Sequence, residues 1–348
     1  MIGPQHTENN GHLRTQTCED LERTQPRAPR PIAGAARERA TNVLDLKRLQ
    51  LLHELHRRGT VGAVADALSY SPSTVSQQLQ VLQKEAGTTL FEPAGRRVRL
   101  TDAALALVAH AETLFTAVER AEADLAAVAA GAVQGIVRVG SFQTASLHLL
   151  LPAIVALRET HPGVEVRLVE AEPVPALDAL RSHQVDLVLA DEWSGEPRPR
   201  LQGLGREDLF HEPVHVALAA DRAPAGTVDL HTLRDAPWAT GEAGGSMEAL
   251  VRRVCNEHGG FEPRVRHHTN ELSMLLALVE HGEAATLLPA IALYDAPDSV
   301  AARPIAGAAL SRTVFTAART GSDHRPALAA VRDALRTAAA VSPARRTT

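Results

Sequence analysis

The stretch "ALSYSPSTVSQQLQVLQKEAG", Ala67 to Gly87, decides how the first part of this chain is read. Ser71 is a good N-cap and Pro72 suits the first helical position, where a missing N–H costs nothing, so a helix is expected to begin there. Within it Val75, Leu79, Leu82 and Ala86 fall at i, i+4, i+7 and i+11, one narrow apolar stripe. A solvated helix usually covers its other faces with Glu, Lys and Arg, which hydrate well and pair at i,i+4. Here those faces carry Ser73, Thr74, Ser76, Gln77, Gln78, Gln80 and Gln83. Such tips both donate and accept hydrogen bonds. A DNA major groove presents mixed donors and acceptors, and Gln can hold adenine through two bonds while Ser or Thr bonds a base or a phosphate.

The flanks support an edge-reading helix. Upstream, Leu46, Leu49, Leu52 and Leu55 recur at helical spacing up to Gly59, and a second short helix is expected over Val61 to Leu68. Helix, short helix, turn and capped helix is the helix-turn-helix layout, whose second helix enters the groove with its N-terminal residues foremost. Downstream, "TTLFEPAGRRVRLT" places Gly95 between two short extended pieces, with Arg96, Arg97 and Arg99 beside it. A basic hairpin there reads as a wing that neutralises phosphates and fixes register.

The 348-residue chain has a formal net charge of −5, yet Asp45 to Leu100 holds eight Lys/Arg against five acids. Aromatics are 3% of residues, too few for single-strand binding on stacked platforms. Cys18 and Cys255 stand far apart, giving no disulfide framework and no thiolate metal site. No apolar run is long enough to span a bilayer and no signal-peptide pattern opens the chain, so a cytoplasmic protein is expected. Residues 1–42 mix Pro, Gly, Arg and polar residues without periodicity; disorder is expected, with Val43 a plausible true start.

From Thr101 to Ala130 there is neither Gly nor Pro. Ala104, Leu107, Ala111, Leu114, Val118, Ala121, Leu125 and Val128 alternate spacings of three and four, which predicts a coiled-coil seam on a helix of roughly 45 Å. A two-fold dimer would set two reading heads on a pseudo-palindrome. Beyond Gly135 the texture changes to alternating strands (136–140, 164–170, 185–190, 214–219, 265–269, 285–289, 313–318) and helices (near 144–160, 174–183, 246–259, 270–281, 323–340), the mark of α/β layers. Ligands in such sheets bind at strand ends and helix N-termini. "GSFQTAS" offers Ser141, Gln143 and Thr144; "ATGEAGGSMEAL" offers Thr240 and Gly241; "HTNELSM" offers Asn270 as a cap.

The order Leu68, Ser71, Val75-Ser76, Leu79, Leu82, Gly87, Leu90-Phe91 and Arg96-Arg97 to Leu100-Thr101 resembles the DNA-binding region of LysR-type transcriptional regulators, and the likeness runs from Val43 to about Ala340. The resemblance implies an α+β multidomain chain: a winged helix-turn-helix (43–101), a linker and dimer helix (102–131), and an α/β two-subdomain sensor of periplasmic-binding-protein type (135–340). The sensor's subdomains would take 135–213 plus 309–340, and 214–308, crossing near Pro213. It also implies DNA contact from Pro72, Ser73, Ser76 and Gln77, with Ser71 and Gln80 at the ends of the reading segment and Arg96 and Arg97 on phosphates. Many members have Arg where this chain has Gln77, so no guanine contact is assumed there. The implied partners are double-stranded DNA, a small-molecule effector between the subdomains, a second copy or a tetramer of the chain, and RNA polymerase; no membrane and no cofactor are expected.

Other classes fit less well. No G-x-S-x-G, P-loop or H-E-x-x-H motif argues for an enzyme. His267 and His268 are adjacent on an expected strand and so face opposite sides, which disfavours a metal site. A solute carrier would leave the helix-turn-helix idle, and a redox sensor would need a resolving thiol near Cys255.

Overall fold

A computed structural model describes residues 43–94, 97–128, 131, 133–294 and 296–342. The expected N-terminal tail with Cys18, the turn at Gly95 and Arg96, and the end of the linker at 129–130 lie outside the described residues.

The head is three helices and a hairpin. α1 (Leu46–Arg58) starts on Asp45, whose carboxylate accepts from Arg48 N, and ends on Gly59 in the left-handed region. α2 (Val61–Leu68) is capped by Thr60. α3 (Pro72–Ala86) is capped by Ser71 and closed by Gly87 at φ 64°, a conformation that favours glycine. The stripe of α3 is buried as its spacing predicts: Val75, Leu79 and Leu82 pack with Leu49, Leu52, Leu55 and Val64. Leu46, expected in that core, is exposed; Leu51 is buried. β1 (Phe91–Ala94) and β2 (Arg97–Leu100) pair antiparallel as the wing.

α4 (Asp102–Val128) is the linker. Its buried residues are Ala104, Val108, Ala111, Glu119 and Ala123, so its first half closes the head's own core against α1. The expected seam therefore divides. Ala104 and Ala111 face inward, whereas Leu114, Leu125 (71% exposed) and Val128 (78% exposed) lie open. The physical reason is packing: α1 receives Ala104 and Ala111 in the head's core, and the stripe opens beyond that contact.

In the sensor, β3 (Gln134–Ser141) lies parallel to β4 (Gly163–Glu170) and β5 (Leu187–Trp193). β6 (Leu204–Ala219) is a 16-residue strand, far longer than the expected 214–219. Its first part pairs with β11 (Ser311–Arg319); its second part pairs with β9 (Thr286–Pro289) and β10 (Val300–Arg303). Pro213, which argues against a strand interior, sits where the partners change: it faces Ser311, and the next residue, Val214, faces Pro289. β7 (Pro237–Thr240), unforeseen because it is short and opens on Pro, pairs with β8 (Arg264–His268).

Helices cover both ends of this sheet system. α5 (Gln143–Ala145), a π turn over 146–150 and α6 (Leu151–Thr160) occupy the single helix expected near 144–160. Pro152 has no N–H to give the preceding turn, which accounts for the irregularity. α7 (Pro173–Arg181), α8 (Ser246–Val254), α9 (Leu272–Glu280) and α10 (Pro326–Val341) follow. One apolar core gathers Val137, Leu149, Leu187, Leu328 and Val331; another gathers Val216, Trp238, Leu250, Val251 and Cys255. No described helix is long and apolar enough to cross a membrane.

Cys255 is fully buried and free, and burial pushes its thiol up to about 12. In a Cys18→Ser variant, Ellman's reagent at mildly alkaline pH should leave Cys255 unlabelled until denaturant is added, because the thiolate is the reacting form. Prompt labelling of the native protein would contradict this burial.

Candidate nucleic-acid interface and interlobe cleft

The polar residues of α3 fall into two groups. Gln78 accepts from Arg48 at 3.1 Å, and Arg48 also binds Glu85 at 2.6 Å, tying α1 to α3. Gln83 accepts from the peptide N–H of Leu90 and Phe91, fixing the entry to the wing. Ser71 is spent in its cap, accepting from Thr74 N at 3.1 Å with the Ser73 and Thr74 hydroxyls at 2.8 Å. Pro72, Ser73, Gln77 and Gln80 are exposed and Ser76 is half-buried. Ser76, Gln77 and Gln80 make no side-chain hydrogen bond among the described residues. Arg99 in the wing is paired with Glu92 across the hairpin. Arg96 lies outside the described residues, and Arg97 is described only as backbone in β2.

A cleft of about 460 Å³ opens where β6 changes partners. Gln143, Thr144, Gly241 and Asn270, expected at the effector site, all line it. Ser141 and Thr240 do not: both are fully buried. Each is the last residue of its strand, and its hydroxyl is turned inward, Ser141 donating to Phe142 O and Thr240 to Gly241 O, with the His268 ring nitrogen Nδ1 also within 3.1 Å of Thr240. The residues that follow them reach the cavity instead. Gln143 spans the opening, donating to Glu271 at 3.0 Å and accepting from Leu272 N at 2.8 Å. Asn270 accepts from Glu242 N at 2.9 Å, and a Cβ at Gly241 would come within 2.9 Å of that same Asn270 oxygen, so only glycine leaves the bond intact.

Charged residues that the strand ends did not advertise complete the wall. Arg312, 4% exposed, binds Glu212 at 2.6 Å and Asp191 at 3.3 Å, and reaches Thr144 Oγ1 at 3.5 Å. Its guanidinium lies 5.3 Å from the Phe142 ring and 5.4 Å from the Trp193 ring. Arg198 donates to the carbonyl of Asp191 and sits 3.4 Å from its carboxylate. Glu172 makes no ion pair among the described residues; burial, reinforced by Asp191 and Glu242, raises its carboxyl above the ordinary range against the pull of Arg198 and Arg312. The acids of "LADEW" were legible only as a strand end, and Arg312 carried no local signal at all.

Two family models cover most of the chain. Residues 46–105 match the bacterial regulatory helix-turn-helix protein, lysR family, and residues 130–340 match the LysR substrate binding domain. The chain belongs to the LysR family. Relatives of this LysR-type chain include the transcriptional dual regulator GltC of Bacillus subtilis, 28% identical over 71% of this chain and 81% of that one. The DNA-binding transcriptional dual regulator OxyR of Escherichia coli is 28% identical over 85% of this chain and 95% of its own length. A solved full-length OxyR variant from Pseudomonas aeruginosa superposes with a TM-score of 0.58 at 21% identity, covering 87% and 96% of the two chains, and shows the shared fold.

In this LysR-type regulator α7 touches both the cleft and the head. Glu172, Pro173, Val174 and Pro175 line the cleft at its N-terminal end. At the other end Asp178 binds Arg57 of α1 at 2.6 Å, Ser182 O accepts from Gln50 at 3.0 Å, and Gln184 donates to Ala67 O near the end of α2. His183, at φ 61°, sits 3.3 Å from Glu119 of α4, which also binds Arg319.

Replacing Arg312 with Met should destabilise the sensor by about 3–5 kcal/mol, since Glu212 and Asp191 would be left buried without their partner. Urea unfolding of the full chain checks this; adding Glu212→Gln should recover part of the loss. A midpoint unchanged by Arg312→Met would show that the pair bears little weight.

Proposed function

We propose that this LysR-type transcription regulator reads duplex DNA with the N-terminal half of α3, through Pro72, Ser73, Ser76, Gln77 and Gln80, with Ser71 shaping the helix start. The observation that carries the reading is the division of labour on α3: the amides of Gln78 and Gln83 hold the head together, while Ser76, Gln77 and Gln80 are left unbonded. Unbonded tips on one side of a rigid, capped helix suit base edges in a major groove. Arg96 and Arg97 would take phosphates. The open residues Leu114, Leu125 and Val128 of α4 support pairing of two copies, as a homodimer or as half of a homotetramer, which matches two heads to a pseudo-palindromic site. The protein would act in the cytoplasm, with RNA polymerase as a further partner and without a catalytic step of its own.

The small-molecule effector would bind in the cleft beside Gln143, Thr144, Gly241 and Asn270, with Ser141 and Thr240 bracing the wall from behind. α7 then gives a route from cleft to head: a ligand that displaces Pro173–Pro175 moves the anchorage of Arg57, Gln50 and Ala67. Ligand and DNA would be coupled through two arrangements of one rigid element.

A gel-shift with the DNA flanking its own gene tests the reading. Binding should fall steeply with salt. Gln77→Ala should lose roughly 1–3 kcal/mol of discrimination at one base position, whereas Arg96→Ala should weaken all sequences alike. Absence of binding at low salt, with and without cell extract, would sink the proposal.

The coupling has its own test. Asp178→Ala should leave operator binding by the unliganded protein within about threefold but shrink the shift caused by an inducing extract, since α7 loses its charged hold on α1. An undiminished response would exclude α7 as the route.

A further inference from the structure

We propose that the cleft takes an organic cation, an amine carried on an apolar body. The inference rests on the reading of this cleft as the effector site and names the class of effector.

Five ionisable side chains line the cavity: Glu172, Asp191 and Glu242 against Arg198 and Arg312. Both arginines are already committed to protein oxygens. Arg312 is held by Glu212 and Asp191 and is closed in by the rings of Phe142 and Trp193. Arg198 is turned onto the carbonyl and carboxylate of Asp191, while its own peptide N–H donates to Glu192 at 3.1 Å. Their positive charge is thus already balanced by buried carboxylates, so an anionic ligand would meet little unneutralised positive charge in the cleft.

The acids are placed differently. Glu172 and Glu242 make no side-chain hydrogen bond and no ion pair among the described residues. Glu172 is half-buried just before α7, facing Asp191 and Glu242, with Arg198 and Arg312 as the cations that oppose them. Burial raises its carboxyl and the neighbouring negative charges of Asp191 and Glu242 add to that rise, a second contribution that an incoming ammonium would offset. The remaining wall is largely apolar, with Val174, Leu272, Leu275, Leu288 and Pro289 around the volume. Cavities of this size and texture bury the body of a small ligand and leave a few polar groups to orient it.

The sign of the pH dependence follows. Glu172 binds the cation as a carboxylate, so amine affinity is highest at neutral pH and falls as acidification protonates Glu172. Its raised position brings that loss in at higher pH than an ordinary carboxyl would.

Three probes of one shape separate the possibilities: phenethylamine, 3-phenylpropanoate and 3-phenylpropanol, each at millimolar concentration with the full chain, read by thermal shift and calorimetry. The amine should bind in preference to the other two, and Glu172→Gln should weaken it about tenfold, the equivalent of one modest charge pair. Glu242→Gln, an exposed position, should weaken it less. Val174→Trp, which fills the cleft, should abolish the binding; persistence there would place the probe elsewhere and overturn the inference. Preference for the anion or the alcohol would overturn the cationic class while leaving the cleft as a ligand site. No binding by any of the three would remove both the class and the site.

Discussion

The sensor is organised around one buried charge cluster. Arg312 on β11 stands directly opposite Glu212 on β6 and Trp193 on β5 in the strand register. Glu212, 2% exposed, accepts from Arg312 and also from the peptide N–H of Ile291, in the turn that follows β9. One carboxylate thereby joins the strand that crosses between the two lobes to both of them. Taking such charges out of water is unfavourable unless every one is paired, so the cluster fixes the relative placement of three strands, and with it the shape of the cleft. Pro213, next to Glu212, marks where β6 exchanges β11 for β9, and the cavity lies at that exchange.

From this cluster the consequences run outward. The cleft's arginines are internal struts rather than free ligands, which leaves the acids to define its field. α7 begins in that field and ends on the head. The head itself is held by apolar packing of α1, α2, α3 and the start of α4, with Glu54 buried beneath Arg57 and Arg58. Arg57 thus serves twice, once inside the head and once on Asp178 of the sensor. A single side chain shared in this way makes the head's seat sensitive to the position of α7.

Local rules explain what was legible in advance. Ser71, Pro72 and Gly87 bracket α3 because capping and left-handed closure depend on neighbouring residues only. The stripe from Val75 to Leu82 buries because helical spacing alone puts it on one side. The short strands β7 and β10, the length of β6 and the divided face of α4 were not legible. Each depends on what lies alongside: a strand containing Pro213 holds because its partners change at that residue, and α4 turns Ala104 and Ala111 inward because α1 is there to receive them.

The same distinction separates the two candidate sites. The sequence by itself determined helix α3, its caps and its supply of amide and hydroxyl tips, together with the α/β alternation of the sensor, since these follow from periodicity and nearest neighbours. Only the tertiary structure decided that Gln78 and Gln83 are structural while Gln77 and Gln80 are free. It also decided that Ser141 and Thr240 stand behind the cleft wall while Glu172 and Arg312 form it. Arg312 meets Thr144 from 168 positions away. A contact of that kind is set by strand pairing and the burial of charge, and no local pattern of residues encodes it.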